Sequence, residues 1–198
     1  MSDTLQRCTW CDSSDLYRHY HDHEWGYPVA DERALFEMLS LELFQSGLSW
    51  LTILKRREGF RRGFAGFDVK KIARFDDRDV ERLLADEGIV RHRGKIQAVI
   101  ANARATLALR EQGETLAALL WRHAPPPQAK APKTLTVLAS TEASAALAKA
   151  LKAHGYGWLG PTTVHAFMQA TGMVNDHHPG CHAWPLAHAA RQAFQSPV

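Results

Sequence analysis

The chain has 198 residues, with 24 Lys+Arg, 21 Asp+Glu, 11 His, a formal net charge of +3 and 45% hydrophobic residues. That balance suits a soluble globular domain with its own core and excludes general disorder; three cysteines are too few for a disulfide scaffold. No apolar run approaches the roughly 20 residues that span a bilayer, and Met1 to Cys8 carries no apolar stretch of the kind a secretory signal has, so a reducing, cytoplasmic setting without membrane partners is expected.

Taken in chain order, the elements read as helices. Cys8 to Pro28 is rich in His and Asp and weak in period, so it is ordered only if something ties it down. Asp31 can cap a helix on which Leu35, Phe36, Met38, Leu39, Leu43 and Phe44 recur at helical spacing. Leu51, Ile53, Leu54, Phe60 and Phe64 continue an apolar face from Trp50 to Phe64, read as one helix. Asp79 opens a short helix through Val80, Leu83 and Leu84, with Gly88 as its stop. Gly94 to about Glu111 reads as a long helix with Ile96, Val99, Ile100, Ala103 and Leu107 on one side. Residues 123–133 hold four prolines and form the one clear loop. Thr134 to Leu138 is the only β candidate. Thr141 to His154 is helical with Gly155 as its stop, and Gly160-Pro161 starts a further helix. Asn175 to Val198 is again weak in period. The expectation is an all-α chain forming one domain over 1–198.

Charge is uneven along this chain. Between Lys55 and Arg74 eight basic residues face only Glu58 and Asp68, and Arg91, His92, Arg93 and Lys95 form a second cluster. Such excess suits a phosphate-binding face; it equally suits a solvated helix surface.

Cys8 and His21 lie near one end, and His177 and Cys181, four residues apart, near the other. A Cys2His2 set satisfies Zn2+ with four ligands, its two thiolates neutralise the ion, and no position remains for an activated water. Such a site would be structural. Cys8 and Cys11 also form a C-x-x-C pair that could supply two ligands or act as a redox couple, and the other histidines offer further choices.

Trp10, Tyr17, Tyr20, Trp25 and Tyr27 crowd into eighteen residues, followed by Glu42 and Trp50. Such rings can stack on a base or simply form an aromatic core corner. Glu42 sits between Leu41 and Leu43; a buried carboxylate there needs a partner or a cationic ligand, because desolvating it alone costs several kcal/mol.

These residues fall in motifs. Arg7-Cys8-x-Trp10, Asp15-Leu16-Tyr17-x-x-Tyr20-His21-Asp22-x-Glu24-Trp25-Gly26, Leu41-Glu42-x-x-Gln45-x-Gly47-Leu48-Ser49-Trp50 and Val174-Asn175-Asp176-His177 with Cys181 resemble, in this order, the DNA-3-methyladenine glycosylase I family. Gly88 to Ile96 falls where that family has its helix-hairpin-helix element. The resemblance implies an all-α bundle of the helix-hairpin-helix glycosylase type, with one structural Zn2+ held by Cys8, His21, His177 and Cys181 joining the two ends and Cys11 left free. It implies a monofunctional enzyme of base-excision repair that flips 3-methyladenine out of double-stranded DNA and hydrolyses its bond to the sugar, acting as a monomer. The base pocket would be Glu42, as the catalytic carboxylate, with Trp10, Tyr17, Tyr20 and Trp50. Leu48 would fill the space left by the extruded nucleotide, and Arg91, Arg93, Gly94 and Lys95 would contact phosphates. Leu43 departs from the family, which usually has glycine there; it would either crowd the pocket or pack behind it.

N3-methylation leaves the purine cationic and its glycosidic bond weakened, so flipping costs a few kcal/mol, less for a damaged base. Stacking returns roughly 1–3 kcal/mol, and a cation over an aromatic face about 0.5–2 more. Glu42, if ionised, would pair with that charge. Lys95 to Arg110 holds no acidic residue to activate water, so hydrolysis would rest mainly on base binding and strain. The alternatives are a glycosylase/lyase using Lys95 as nucleophile, a zinc-dependent DNA-binding protein using Lys55–Arg74, and a redox protein built on Cys8 and Cys11.

Overall fold

The computed structural model describes residues 5–131, 133–134 and 136–198. Its helices are α1 (Asp15–His23), α2 (Glu32–Gln45), α3 (Trp50–Lys55), α4 (Arg57–Gly63), α5 (Val69–Ile72), α6 (Asp77–Ala85), α7 (Arg93–Glu111), α8 (Leu116–Trp121), α9 (Glu142–Ala153), α10 (Pro161–Ala170) and α11 (Ala183–Ala193), with 3-10 turns at Thr9–Cys11 and Ala65–Phe67. Among the described residues there is no strand. Thr134 and residues 136–138 are irregular, and Leu135 of the β candidate lies outside the described residues.

Side-chain caps set most boundaries. Asp31 accepts from Ala34 N at the start of α2, Ser49 from Thr52 N at α3, and Thr141 from Ser144 N at α9. The helix expected from Asp79 starts earlier: Asp76 is its cap, and Asp79 is the third residue of a capping box that reaches back to Asp76 N. The single helix expected over Trp50–Phe64 is two, because the chain leaves helical geometry at Arg56, with φ −102° and ψ 3°.

α2 is the central element and packs against α3, α7, α8 and α10. Leu35 to Phe44 are all buried, so the helix has no solvated face. Its polar residues therefore need partners. Ser40 Oγ donates to Phe36 O, and Glu37 accepts from Arg57 and Arg61. Glu42 is the exception, and the site is built around it.

The two ends expected to be weakly ordered carry α1 and α11 and are fastened together. His182 N donates to Gln6 O, and Cys8, His21, His177 and Cys181 are all buried side by side. α6 and α7 form a helix pair joined by residues 86–92. Gly59 of α4 meets this connection so closely that a Cβ there would lie 2.1 Å from Gly88 O.

Candidate active site

Five elements converge on a cavity of about 160 Å³ lined by Trp10, Tyr17, Tyr20, Trp25, Glu42, Gln45, Trp50, Ala166 and Gln169. Tyr17 and Tyr20 come from one face of α1, Glu42 and Gln45 from α2, Ala166 and Gln169 from α10, each pair three residues apart. Drug-sized sites run to about 300–1,000 Å³, so this one holds a ligand of one or two rings. The walls are rings in contact: Trp10 and Tyr17 have centroids 4.9 Å apart, Trp10 and Trp25 5.0 Å, Tyr20 and Trp50 5.5 Å.

Glu42 is 4% exposed, and no described residue donates a hydrogen bond to it. Burial alone pushes its carboxyl from 4.5 up to about 8. At pH 7 the empty cavity thus holds mainly the neutral acid, rather than the ionised group considered from sequence. Burial, then the nearby Glu42, also raises the Tyr17 and Tyr20 phenols, Tyr17 additionally feeling Cys11, so both stay protonated. The buried indole N–H of Trp50 has no hydrogen-bond partner among the described residues. The cavity therefore offers flat apolar walls, donors on the Trp50 indole and the two phenols, and one carboxyl whose charge depends on what enters.

Leu43, between Glu42 and Phe44, is fully buried in the core and does not line the cavity. It packs behind the pocket and does not crowd it. Gln45 was visible in the motif but carried no role; Ala166 and Gln169 lie in a segment whose only sequence signal was its helical start. Gln169 is oriented by its bond to Asp176 (2.8 Å).

Leu48 is 38% exposed at the tip of the loop between α2 and α3. The loop is braced from within: Gln45 Nε2 donates to Leu48 O at 2.7 Å, and Gly47 sits at φ +83°. It is braced from outside by Lys95. The Lys95 ammonium is buried, donating to Phe44 O at 2.9 Å and Ser46 O at 2.7 Å. This corrects the expected phosphate contact, since a cation holding the carbonyl end of α2 does not reach solvent. Nor does it line the cavity, so the lyase alternative lacks its nucleophile there. Gly94 lies in the first turn of α7, where His92 Nδ1 caps Lys95 N at 3.2 Å and the Arg93 and Gly94 N–H groups are left to meet an anion. Arg91 is half exposed, and Arg93, also half exposed, bonds Glu81 at 2.7 Å. The basic stretch Lys55–Arg74 is partly spent internally: Arg57 pairs with Glu24 and Glu37, and Arg61 with Glu37 and Glu58.

The ligand atoms of Cys8, His21, His177 and Cys181 all lie within 4.8 Å of one another. His21 Nε2 and His177 Nδ1 are 3.2 Å apart; Cys8 Sγ is 3.6 Å from His177 Nδ1, and Cys181 Sγ is 3.3 Å from His21 Nε2 and 3.7 Å from His177 Nδ1. Bonds of about 2.3 Å to sulfur and 2.0 Å to nitrogen put the edges of a tetrahedron near 3.3–3.8 Å, so the set fits Zn2+. The tautomers agree. His177 Nε2–H donates to Trp25 O (3.1 Å) and His21 Nδ1–H to Asp22 (2.7 Å), which frees the inward nitrogens as ligands. Burial opposes ionisation of Asp22, but hydrogen bonds from Arg7, His21 and His182 outweigh it and hold its carboxyl well below the usual range. Cys11 Sγ turns away to Cys8 O. Trp25, which stacks edge-on against His177 at 4.7 Å, also walls the cavity, so the clamp supports the site directly. Gly26, at φ +86°, lets the chain pass His177, where a Cβ would lie 2.9 Å from Nε2.

A sequence profile for methyladenine glycosylases matches residues 10–184. The chain is 49% identical to DNA-3-methyladenine glycosylase 1 of Escherichia coli (strain K12) over 183 residues, covering 91% of this chain and 98% of that one. A crystal structure of 3-methyladenine DNA glycosylase I superposes with a TM-score of 0.86 at 50% identity, covering 91% of this chain and all of that one. A Staphylococcus aureus 3-methyladenine DNA glycosylase I structure, described as the structural basis of 3-methyladenine recognition, gives 0.82 at 33% identity, covering 92% of this chain and 98% of that one.

Proposed function

Because the chain belongs to the methyladenine glycosylase family, we propose that it releases 3-methyladenine from alkylated double-stranded DNA by hydrolysing the bond between base and sugar. The observation that carries this reading is a buried carboxyl without a hydrogen-bond partner among the described residues, walled by Trp10, Tyr17, Tyr20 and Trp50.

Entry of a cationic purine gives the Glu42 carboxylate the partner it lacks, so the proton leaves and an ion pair forms under exclusion of water. A neutral adenine meets the protonated acid and gains no such pairing. Selectivity therefore comes from what the cation adds, not from a charge that repels normal bases. The Trp50 N–H supplies a donor to the purine edge, and the rings stack on its faces. Breaking the bond sends its electron pair into the base and neutralises it, while water adds to the sugar carbon and gives up one proton to solvent, leaving a sugar hydroxyl.

On the DNA side, the α6–loop–α7 pair acts as the phosphate-gripping hairpin through the Arg93 and Gly94 amides at the start of α7, with Arg91 and Arg93 adding charge. Leu48 enters the stack where the nucleotide has left. Cys8, His21, His177 and Cys181 would hold one structural Zn2+, which supplies cross-linking of the two chain ends and no open coordination position. The protein would act as a cytoplasmic monomer.

Incubation of the protein with methylated duplex DNA, followed by chromatography of the small molecules released, tests the reading. 3-Methyladenine should appear and unmodified adenine should not. Release of no base, or of normal purines at a similar rate, contradicts it.

A further inference from the structure

Trp158 is 52% exposed and has φ +62°, a backbone conformation that favours glycine. The strain is held in place by two anchors on α7. Asn102, itself buried, accepts from Gly157 N at 2.8 Å and donates to Gly157 O at 3.2 Å, and the Tyr156 hydroxyl is 2.9 Å from Thr106 Oγ1. With Leu159 also buried, the residues on either side of Trp158 are fixed and only the indole projects. It lies over the start of α7. A Cβ on Gly94 would sit 3.0 Å from Trp158 Cζ2, and the indole meets the His92 ring edge-on at 5.5 Å.

The other side of that helix start is tied by Lys95 to Ser46, in the loop that carries Leu48. Two exposed apolar side chains, Leu48 and Trp158, thus flank the N-terminal turn of α7, with Arg91 and Arg93 beside them. A large aromatic side chain kept half in water, in a backbone conformation that disfavours it, gains little for the folded chain. It is suited to an apolar partner arriving next to an anion, and the deoxyribose next to a bound phosphate is such a partner.

We infer that Trp158 is a DNA-contacting residue whose indole packs on the deoxyribose of the strand held at the α7 N-terminus. The inference rests on the glycosylase reading above and deepens its DNA interface. Trp158→Gly removes the ring and relieves the strain, and Trp158→Ala removes the ring alone. Affinity for a duplex carrying a stable abasic-site analogue, measured by fluorescence anisotropy against salt, should fall about tenfold in both variants with an unchanged salt slope, because an apolar contact releases no counterions. Binding of free 3-methyladenine serves as the control for folding, and Trp158→Gly should melt no lower than the wild type. Unchanged DNA affinity overturns the inference, as does a loss matched by an equal loss of free-base affinity. If the wild type itself releases no 3-methyladenine, it is the glycosylase reading that fails.

Discussion

Glu42 decides the behaviour of the site, and its environment makes that behaviour depend on pH. Its carboxyl is raised from 4.5 to about 8 by burial, so the folded state favours the protonated acid. The stability this contributes is complete below the unfolded value and is lost as pH rises through about 8. Glu42→Gln removes the ionisable group while keeping its shape. Its melting temperature should therefore exceed that of the wild type at pH 8.5 by several degrees, with the difference shrinking toward pH 5; a difference independent of pH would mean that the carboxyl is not held neutral. Trp50 shows the complementary pattern. Its N–H has no partner among the described residues, so Trp50→Phe loses no hydrogen bond within them. It should weaken free 3-methyladenine binding by about fivefold to tenfold, the worth of one hydrogen bond of roughly 1–1.5 kcal/mol, in an equilibrium titration.

At the scale of elements, α2 and α7 are locked together by Lys95. Replacing it with Met keeps the stem and leaves Phe44 O and Ser46 O without their donor. Lys95→Met should cost about 1.5–3 kcal/mol in urea unfolding and slow base release, yet leave the salt slope of DNA binding intact. Arg91→Ala should instead lower that slope by about one. A slope reduced by Lys95→Met would restore the phosphate role expected from sequence. This residue also marks the limit of what the sequence displays. Caps and apolar spacing made α2, α7, α9 and α10 legible, because Asp31, Thr141 and Gly160-Pro161 act locally. α8 was hidden since Leu116, Ala117, Leu119, Leu120 and Trp121 are all buried and show no polar face. α1 was hidden because its inward face bears Tyr20 and His21, and α11 because its inward face is two alanines, Ala183 and Ala187, with Trp184. The destination of the Lys95 ammonium depends on a contact 49 to 51 positions away in the chain, which no local pattern carries.

Over the whole molecule, the Cys2His2 cluster joins the first and last parts of the chain and props Trp25 against the cavity. Purified protein should contain one zinc per chain by elemental analysis. Cys181→Ser should lose the ion and melt at least 10 °C lower, whereas Cys11→Ser, whose thiol donates to Cys8 O, should keep it; equal zinc content in both variants would place the metal elsewhere. The four candidate ligands were visible in sequence, but their choice over the nine other histidines and Cys11 rested on resemblance, and burial with ligand-sized spacing now supplies the physical reason. The most direct measurement is the single-turnover rate of 3-methyladenine release from methylated duplex DNA at subsaturating enzyme, from pH 6 to 9, for the wild type and Glu42→Gln. The wild-type rate should rise by up to about tenfold per pH unit and level off near pH 8, as one carboxyl ionises, and Glu42→Gln should be slower with a flat profile. Equal rates and identical profiles for the two proteins would contradict the account.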